Sequence, residues 1–444
     1  MSESRLRKIL YFFNAKGIKV LVPLKRFCSA AVLVCLIFVS GLVLLPSARA
    51  DWPMFRVNPS HSGGETGNPV LTPALLWKHP TGGPIGSSPA VVDGVIYIGA
   101  WNGNVYALDT VNGTKIWNYT TNGGVSDPAV ADGVLYVGAL DDNIYALNAS
   151  NGAKLWNYPK VGWVYSTPAV VNGVVYIGSD YGYVYALNAT NGAKLWNHKI
   201  GSYDVYSSPA VVNGVVYIGS YEGYVYALDA STGTKIWNYT INNWVFSSPA
   251  VSNGVVYIAS NGDFYALNAT NGAKLWNYYI GGTDVISSPA VSNGVVYIGS
   301  NIDFYALNAT NGAKLWDYPA GGGVDISPAV INGVVYISGY YNITYALNAA
   351  TGAKLWSYAT DSRVYSSPVV VNGTIYLISY NGNIYALSSS TSIFSFSQYA
   401  IYGIVILVVV AIVVATLLLK KNRHNLNQTP EKLTNAHLNL GLFS

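Results

Sequence analysis

The chain has 444 residues, of which 37 are Tyr and 45 Gly, only 10% are charged, and the net charge is +4. Such an apolar, aromatic, charge-poor composition suits many short strands and tight turns, and it excludes a disordered or long-helical body. Both cysteines, Cys28 and Cys35, precede Ala50, so disulfides and thiolate metal sites are excluded from everything after it.

Residues 1–26 hold seven Lys and Arg, an apolar run follows from Phe27 to Leu45, and "PSARA" ends at Ala50. This pattern predicts an export signal over residues 1–50 with an Ala-x-Ala-like cleavage site. The apolar run is also long enough to stay as a signal anchor, which would add a second span. In either case the chain after Asp51 is exported. Between Asp51 and Leu419, 12 Lys and Arg face 18 Asp and Glu, a net charge of about −6. An acidic exported body argues against nucleic acid as a partner.

From residue 90 onward one unit recurs about every forty residues. Its grammar is clear in "SSPAVVNGVVYIGSYEGYVYALDASTGTKIWNYT", Ser207 to Thr240: four short strands separated by an Asn-Gly, a Gly-containing turn and a second polar turn. Asn-Gly or Asp-Gly between apolar runs is a strong hairpin signal, because both residues accept the positive φ of a type I′ turn. It is present in all eight units, from Asp93-Gly94 to Asn372-Gly373. Eight four-stranded units predict an all-β fold, an eight-bladed β-propeller. The ends support a closed ring. The eighth unit stops at "IYALSSS" without its outer strand, and an orphan "LLWKH" containing Trp77 stands ahead of the first unit. The N-terminal strand is therefore expected to complete blade 8 and remove an open edge. The propeller is placed at residues 51–387, followed by a linker at 388–400.

The cassette "ALNATNGAKLW" occurs three times, ending at Trp196, Trp276 and Trp316, and near-copies end at Trp117, Trp156, Trp237 and Trp356. Ala-Leu-Asn/Asp, Asn/Thr-Gly and Lys-Leu/Ile-Trp in this order resemble the tryptophan-docking repeat of the pyrroloquinoline-quinone (PQQ) family of propellers. "DWPMFRVNPSHSG", Asp51 to Gly63, is similar to the lead-in before that family's first blade. The resemblance implies that these seven Trp and Trp77 pack between adjacent blades. It says less about function, because the family holds quinoprotein dehydrogenases, the propeller lipoprotein of the bacterial outer-membrane assembly machine and many surface proteins. The cassette lysines (Lys115, Lys154, Lys194, Lys235, Lys274, Lys314 and Lys354) fall on outer strands, where charge opposes edge-to-edge aggregation.

Family dehydrogenases hold PQQ and Ca²⁺ with carboxylates and amides, use a catalytic Asp and commonly carry a vicinal cysteine pair. Here the exported part has no Cys and only two Glu, Glu65 and Glu222. His61, His79 and His198 show no metal-ligand spacing and read as solvated or packed. Asp141-Asp142-Asn143, Asp180, Asp263 and Asp303 occupy turns but lack an alternating Asp-x-Asp-x-Asp/Asn loop. The expectation is no catalysis, no metal and no cofactor.

Strand alternation divides the loops between two rims. The Asn-Gly hairpins and cassette turns share a monotonous rim. The other rim varies from blade to blade and gathers aromatics, acids and amides, which makes it the candidate binding surface. Trp101, Trp163, Tyr181, Tyr203, Asp204, Tyr221, Glu222, Trp244, Tyr340, Tyr341 and Arg363 are its candidate contacts, for a protein or a glycan. Tyr165, Tyr206 and Tyr365 read instead as packing in the narrowing channel. Nine Asn-x-Ser/Thr sequons (Asn112, Asn118, Asn148, Asn188, Asn238, Asn268, Asn308, Asn342 and Asn372) are candidate glycosylation sites, although the turn sequence itself spells most of them.

The uncharged stretch at residues 401–419 predicts a transmembrane helix, and "KKNRH" after it places the tail, 420–444, in the cytoplasm. The third strand of blade 8 runs toward the monotonous rim, so the varied rim would face away from the membrane. The sequence thus reads as a single-pass cell-membrane protein whose propeller binds a protein or glycan. A PQQ/Ca-dependent oxidoreductase of alcohols or sugars and an envelope protein-assembly scaffold stay open as alternatives.

Overall fold

The computed structural model describes residues 9–13, 19–23 and 51–389, apart from 52, 56, 59, 62, 66–67, 242, 283–284 and 340. The apolar runs read as signal and membrane helix, most of the linker, the tail and Tyr340 lie outside the described residues. Among those described, no helix is long and apolar enough to cross a membrane. Ile9–Phe13 and Lys19–Pro23 in the basic region pair as an antiparallel hairpin.

Eight four-stranded antiparallel units follow, with inner strands starting at Ala90, Ala129, Ala169, Ala210, Ala250, Ala290, Ala329 and Val369. Blade 4 is typical, with strands Ala210–Val212, Val215–Ser220, Tyr224–Asp229 and Lys235–Thr240. The Asn-Gly reading holds in every blade: both residues of each pair have positive φ, as in Asn213 at 50° and Gly214 at 78°. Second and third strands are buried almost throughout. Outer strands bury chiefly their Trp and leave Lys and Ile or Leu in solvent.

The ring closes as expected. Pro73–Pro80 pairs antiparallel with Asn383–Ser389 and supplies blade 8 with its outer strand. That third strand runs to Ser389 rather than stopping at Leu387, because Ser388 and Ser389 continue the ladder opposite Ala74 and Pro73.

One contact joins the blades. Trp237 of blade 4 donates its Nε1–H to the Ala269 carbonyl of blade 5 at 2.9 Å, and Tyr217 of blade 4 donates its hydroxyl to the same oxygen at 3.1 Å. The pattern recurs from Trp117 to Trp316, each Trp reaching the cassette turn of the following blade. Each cassette Gly makes room for the indole. A Cβ on Gly272 would lie 2.6 Å from Trp237, and its φ of +72° disfavours other residues independently. Blade 7 has no ordinary cassette turn ahead of it, because the chain is interrupted there. The carbonyl of Val70, from the incoming N-terminal segment, replaces it and accepts from Trp356 at 2.7 Å and Tyr336 at 3.2 Å. Trp77, only partly buried, then docks on the Thr110 carbonyl at 3.0 Å.

The lead-in crosses the ring at the hairpin rim. Pro53, Ser60 and Gly63 offer their carbonyls to the inner-strand N–H groups of Val130, Val251 and Val330, in blades 2, 5 and 7. Gly64–Glu65 then pairs in parallel with the inner strand of blade 7. Met54, Val57 and His61 are buried in this crossing, and the His61 imidazole is hydrogen-bonded to the Pro249 carbonyl at 2.9 Å. His61 is thus a packed histidine.

Removing a buried Trp forfeits ring packing as well as one hydrogen bond. Trp237→Ala is expected to lower stability by about 3–5 kcal/mol. Trp237→Phe, which keeps a ring but loses the donor, is expected to lower it by about 1 kcal/mol. Urea unfolding of the full-length chain measures both, and a Phe variant as unstable as the Ala variant would show that the donor outweighs the ring.

Candidate functional site

The varied rim is built on a belt of serines. The residue before each blade's first proline (Ser88, Asp127, Thr167, Ser208, Ser248, Ser288, Ser327 and Ser367) stands where the connecting loop enters the inner strand. Six of their N–H groups donate to the corresponding side chain of the next blade, as Ser208 does to Ser248 at 2.8 Å. The loops above this belt converge toward the axis, and their side chains meet over the channel mouth.

Over blades 3 to 5 they form one aromatic array. Tyr165 stacks on Tyr206 with centroids 4.9 Å apart, and Trp163 meets Tyr165 edge-on at 6.4 Å. Tyr206 packs on Phe246 at 5.4 Å, and Phe246 meets Tyr221 edge-on at 5.5 Å. Tyr221 in turn stacks on Trp244 at 5.4 Å and touches Tyr203 at 5.5 Å. Trp163, Tyr203 and Trp244 stay 49%, 60% and 44% exposed. A smaller group lies over blades 8 and 1, where Trp101 meets Tyr380 edge-on at 5.8 Å, Tyr380 touches Tyr365, and the Arg363 guanidinium covers Tyr365.

Of the expected contacts, Trp163, Tyr203, Tyr221 and Trp244 are thus brought together, with Asp204 beside them. Trp101 and Arg363 belong to the second group. Tyr181 and Tyr341 are exposed but belong to neither. Glu222 has a structural task, since its carboxylate accepts the Ser202 N–H at 2.6 Å and ties two loops. Tyr165 and Tyr365, read as channel packing, are instead exposed, because they stand above the serine belt rather than within it. The cassette lysines sit exposed on the outer strands, as expected. Several sequon asparagines hold turns: Asn148, Asn188, Asn268 and Asn308 each accept the N–H two residues on, and the Asn342 amide donates to the Thr360 carbonyl.

Sequence reasoning missed Asp127. Its signal was present, as the one acid in a series otherwise Ser or Thr before the proline. Asp127 accepts the Ser88 N–H at 2.8 Å and helps floor a cavity of about 130 Å³ beneath Trp101 and Tyr165. Burial pushes its carboxyl up to about 6, against hydrogen bonds from Ser88 and Thr167 that favour the ion. Burial, followed by the neighbouring Asp180 carboxyl, likewise raises Asp204 to about 6, although the Tyr206 hydroxyl donates to it at 3.2 Å. Asp361 behaves oppositely. Desolvation opposes its ionisation, but Lys78 at 2.7 Å, Tyr385 and Asn381 outweigh this and hold it below the usual carboxylate range.

The cavity above Asp127 is too small for the PQQ and Ca²⁺ of family dehydrogenases. The cavity is well below the 300–1,000 Å³ usual for a cofactor pocket.

Fold and blade docking together define a PQQ-like β-propeller. The chain belongs to the family described as outer membrane protein assembly factor BamB, whose model matches residues 71–208 and 182–398. Comparison with curated proteins finds no sequence match. Among solved structures, the chain is similar to BamB from Moraxella catarrhalis, with 18% identity and a TM-score of 0.62 over 71% of this chain and 100% of that one. It is also similar to the quinohemoprotein alcohol dehydrogenase ADHIIG from Pseudomonas putida HK5, with 18% identity and a TM-score of 0.65 over 76% of this chain and 80% of that one. The computationally designed protein Ika8 shares 15% identity and a TM-score of 0.64, over 72% and 100% of the two chains. At such identities the likeness is one of fold, shared by an enzyme, an assembly factor and a design.

Because Asp204 titrates higher in the folded protein than the value of about 3.9 expected when unfolded, the folded state keeps a proton that the unfolded chain loses between about pH 4 and 6. Its contribution to stability is full below that window and is lost as pH rises through it. Asp204→Asn is therefore expected to raise the thermal midpoint at pH 7.5 and leave it unchanged at pH 4. A variant less stable at pH 7.5 would contradict this.

Proposed function

We propose that this PQQ-like propeller is an exported, membrane-tethered binding module that holds a protein partner on its varied rim and performs no catalysis. The observation that carries the reading is the continuous aromatic array over blades 3 to 5. Exposed Trp and Tyr held rigid by their neighbours offer large contact area with little side-chain entropy left to lose, the usual composition of a binding hot spot. Ser389, the last described residue, lies at the opposite rim, where its hydroxyl accepts the Leu71 N–H at 3.0 Å.

The fold likeness to an outer-membrane assembly factor favours a protein over a glycan, and an envelope protein-assembly scaffold is the form of this reading that it supports. The oxidoreductase alternative is weakened by the poor match between PQQ and the cavity above Asp127.

Trp163→Ala/Trp244→Ala in the full-length chain is expected to reduce partner capture from native membranes at least ~30-fold, the equivalent of about 2 kcal/mol or more at a hot spot. The thermal midpoint should change little, because both rings are half exposed. Undiminished capture would refute the assignment. So would dye-linked alcohol or sugar oxidation after reconstitution with PQQ and Ca²⁺.

A further inference from the structure

Each bond of the serine belt requires one acceptor, and in five of the six a hydroxyl supplies it. Asp127 makes the same bond to Ser88 but adds a full charge that the belt does not use. A desolvated carboxylate without a counter-ion is destabilising. The groups acting on Asp127 are Ser88 and Thr167, and no Lys or Arg is among them. A carboxylate has about four acceptor positions, so the three hydrogen bonds from the Ser88 N–H, the Ser88 hydroxyl and the Thr167 hydroxyl leave one acceptor position over.

The cavity shapes the occupant. Asp127, Ser126 and Ser87 supply its polar lining, Val125, Leu140 and Val164 its apolar wall, and Trp101 and Tyr165 line it as well. At about 130 Å³ it suits a slender alkyl chain better than a sugar ring with its hydration. The rim around it repels anions: among the described residues its loops and adjoining strand ends carry ten Asp and Glu against Lys78, Lys160, Lys199 and Arg363. The cassette lysines begin the outer strands, at the opposite side of each blade.

We propose that this pocket receives a lysine side chain of a basic partner protein, its ammonium paired with Asp127 and its four-carbon stem held between Trp101 and Tyr165. Lysine is a compact point charge on a flexible stem, whereas a planar guanidinium needs a wider slot. Aromatic faces beside the pocket add cation–π attraction. The inference deepens the binding reading above and rests on it for the partner, but the pocket itself is testable without one.

The experiment is calorimetric titration of the full-length chain with Nα-acetyl-lysine methylamide and with the norleucine counterpart, which has the same stem without the charge. The wild-type chain is expected to prefer the lysine amide at least ~10-fold, near 1.4 kcal/mol. Asp127→Ser restores the residue the belt uses elsewhere and keeps an acceptor for Ser88, and Asp127→Asn is nearly isosteric. Both should fold and lose that preference, while Trp163→Ala/Trp244→Ala keeps it. No preference in the wild-type chain overturns the proposal, as does unchanged lysine binding in Asp127→Ser or binding of neutral sugars that depends on Asp127. If the pocket proposal fails while the Trp163/Trp244 variant still loses its partner, the rim reading survives alone. If Asp127-dependent lysine binding holds while that variant keeps its partner, the pocket stands and the aromatic array is not the docking surface.

Discussion

The structure depends on a single carbonyl oxygen in each cassette turn. A blade's outer-strand Trp and second-strand Tyr both donate to one such oxygen, so seven of the eight interfaces combine ring burial with two converging hydrogen bonds, and the eighth has the Trp77 bond to Thr110. The geometry leaves the turn little choice. The indole lies on a glycine that has both a positive φ and no space for a Cβ, and the turn asparagine or aspartate caps the following N–H groups. The hairpin rim is monotonous because it carries the assembly chemistry. The loops of the other rim share the serine belt beneath them as their repeated tie, and their side chains are free to differ.

The same requirement explains the ring closure. A ring made from one chain is interrupted somewhere, and here the interruption removes the cassette turn that Trp356 would meet. Val70 restores the carbonyl, and Pro73–Pro80 restores the missing strand. The Lys78–Asp361 pair adds a tie between this N-terminal strand and the loop entering blade 8, of the exposed kind that contributes little stability.

The parts of this design that rest on side chains were legible in the sequence. Seven cassettes announced the Trp docking, eight Asn-Gly pairs announced the hairpins, and Trp77 beside an incomplete last unit announced the closing strand. The parts that rest on backbone groups were not. Any residue has a carbonyl, so nothing in "NPVLT" marks Val70 as an acceptor, and nothing in the lead-in marks Pro53, Ser60 and Gly63 as partners of three inner strands. The rim was legible only in composition. That Tyr165, Tyr206, Phe246, Tyr221 and Trp244 form one array depends on loops about forty residues apart meeting near the axis. Glu222 read as a rim contact because the Ser202 N–H it accepts is invisible in sequence. Asp127 was visible as the odd residue before a proline, but its meaning required the cavity above it.

An enzyme, an assembly factor and a designed protein share this scaffold, so its function is decided where the loops differ rather than where the blades agree. In this chain the difference is an acidic rim with a rigid aromatic array, set opposite the rim where the described chain ends. Amide hydrogen exchange, with and without the captured partner, tests that division most directly. Protection is predicted in the loops around Trp163–Tyr165, Tyr203–Tyr206 and Trp244–Phe246, with exchange at the Asn-Gly hairpins and cassette turns unchanged. Protection confined to the hairpins and cassette turns would contradict it.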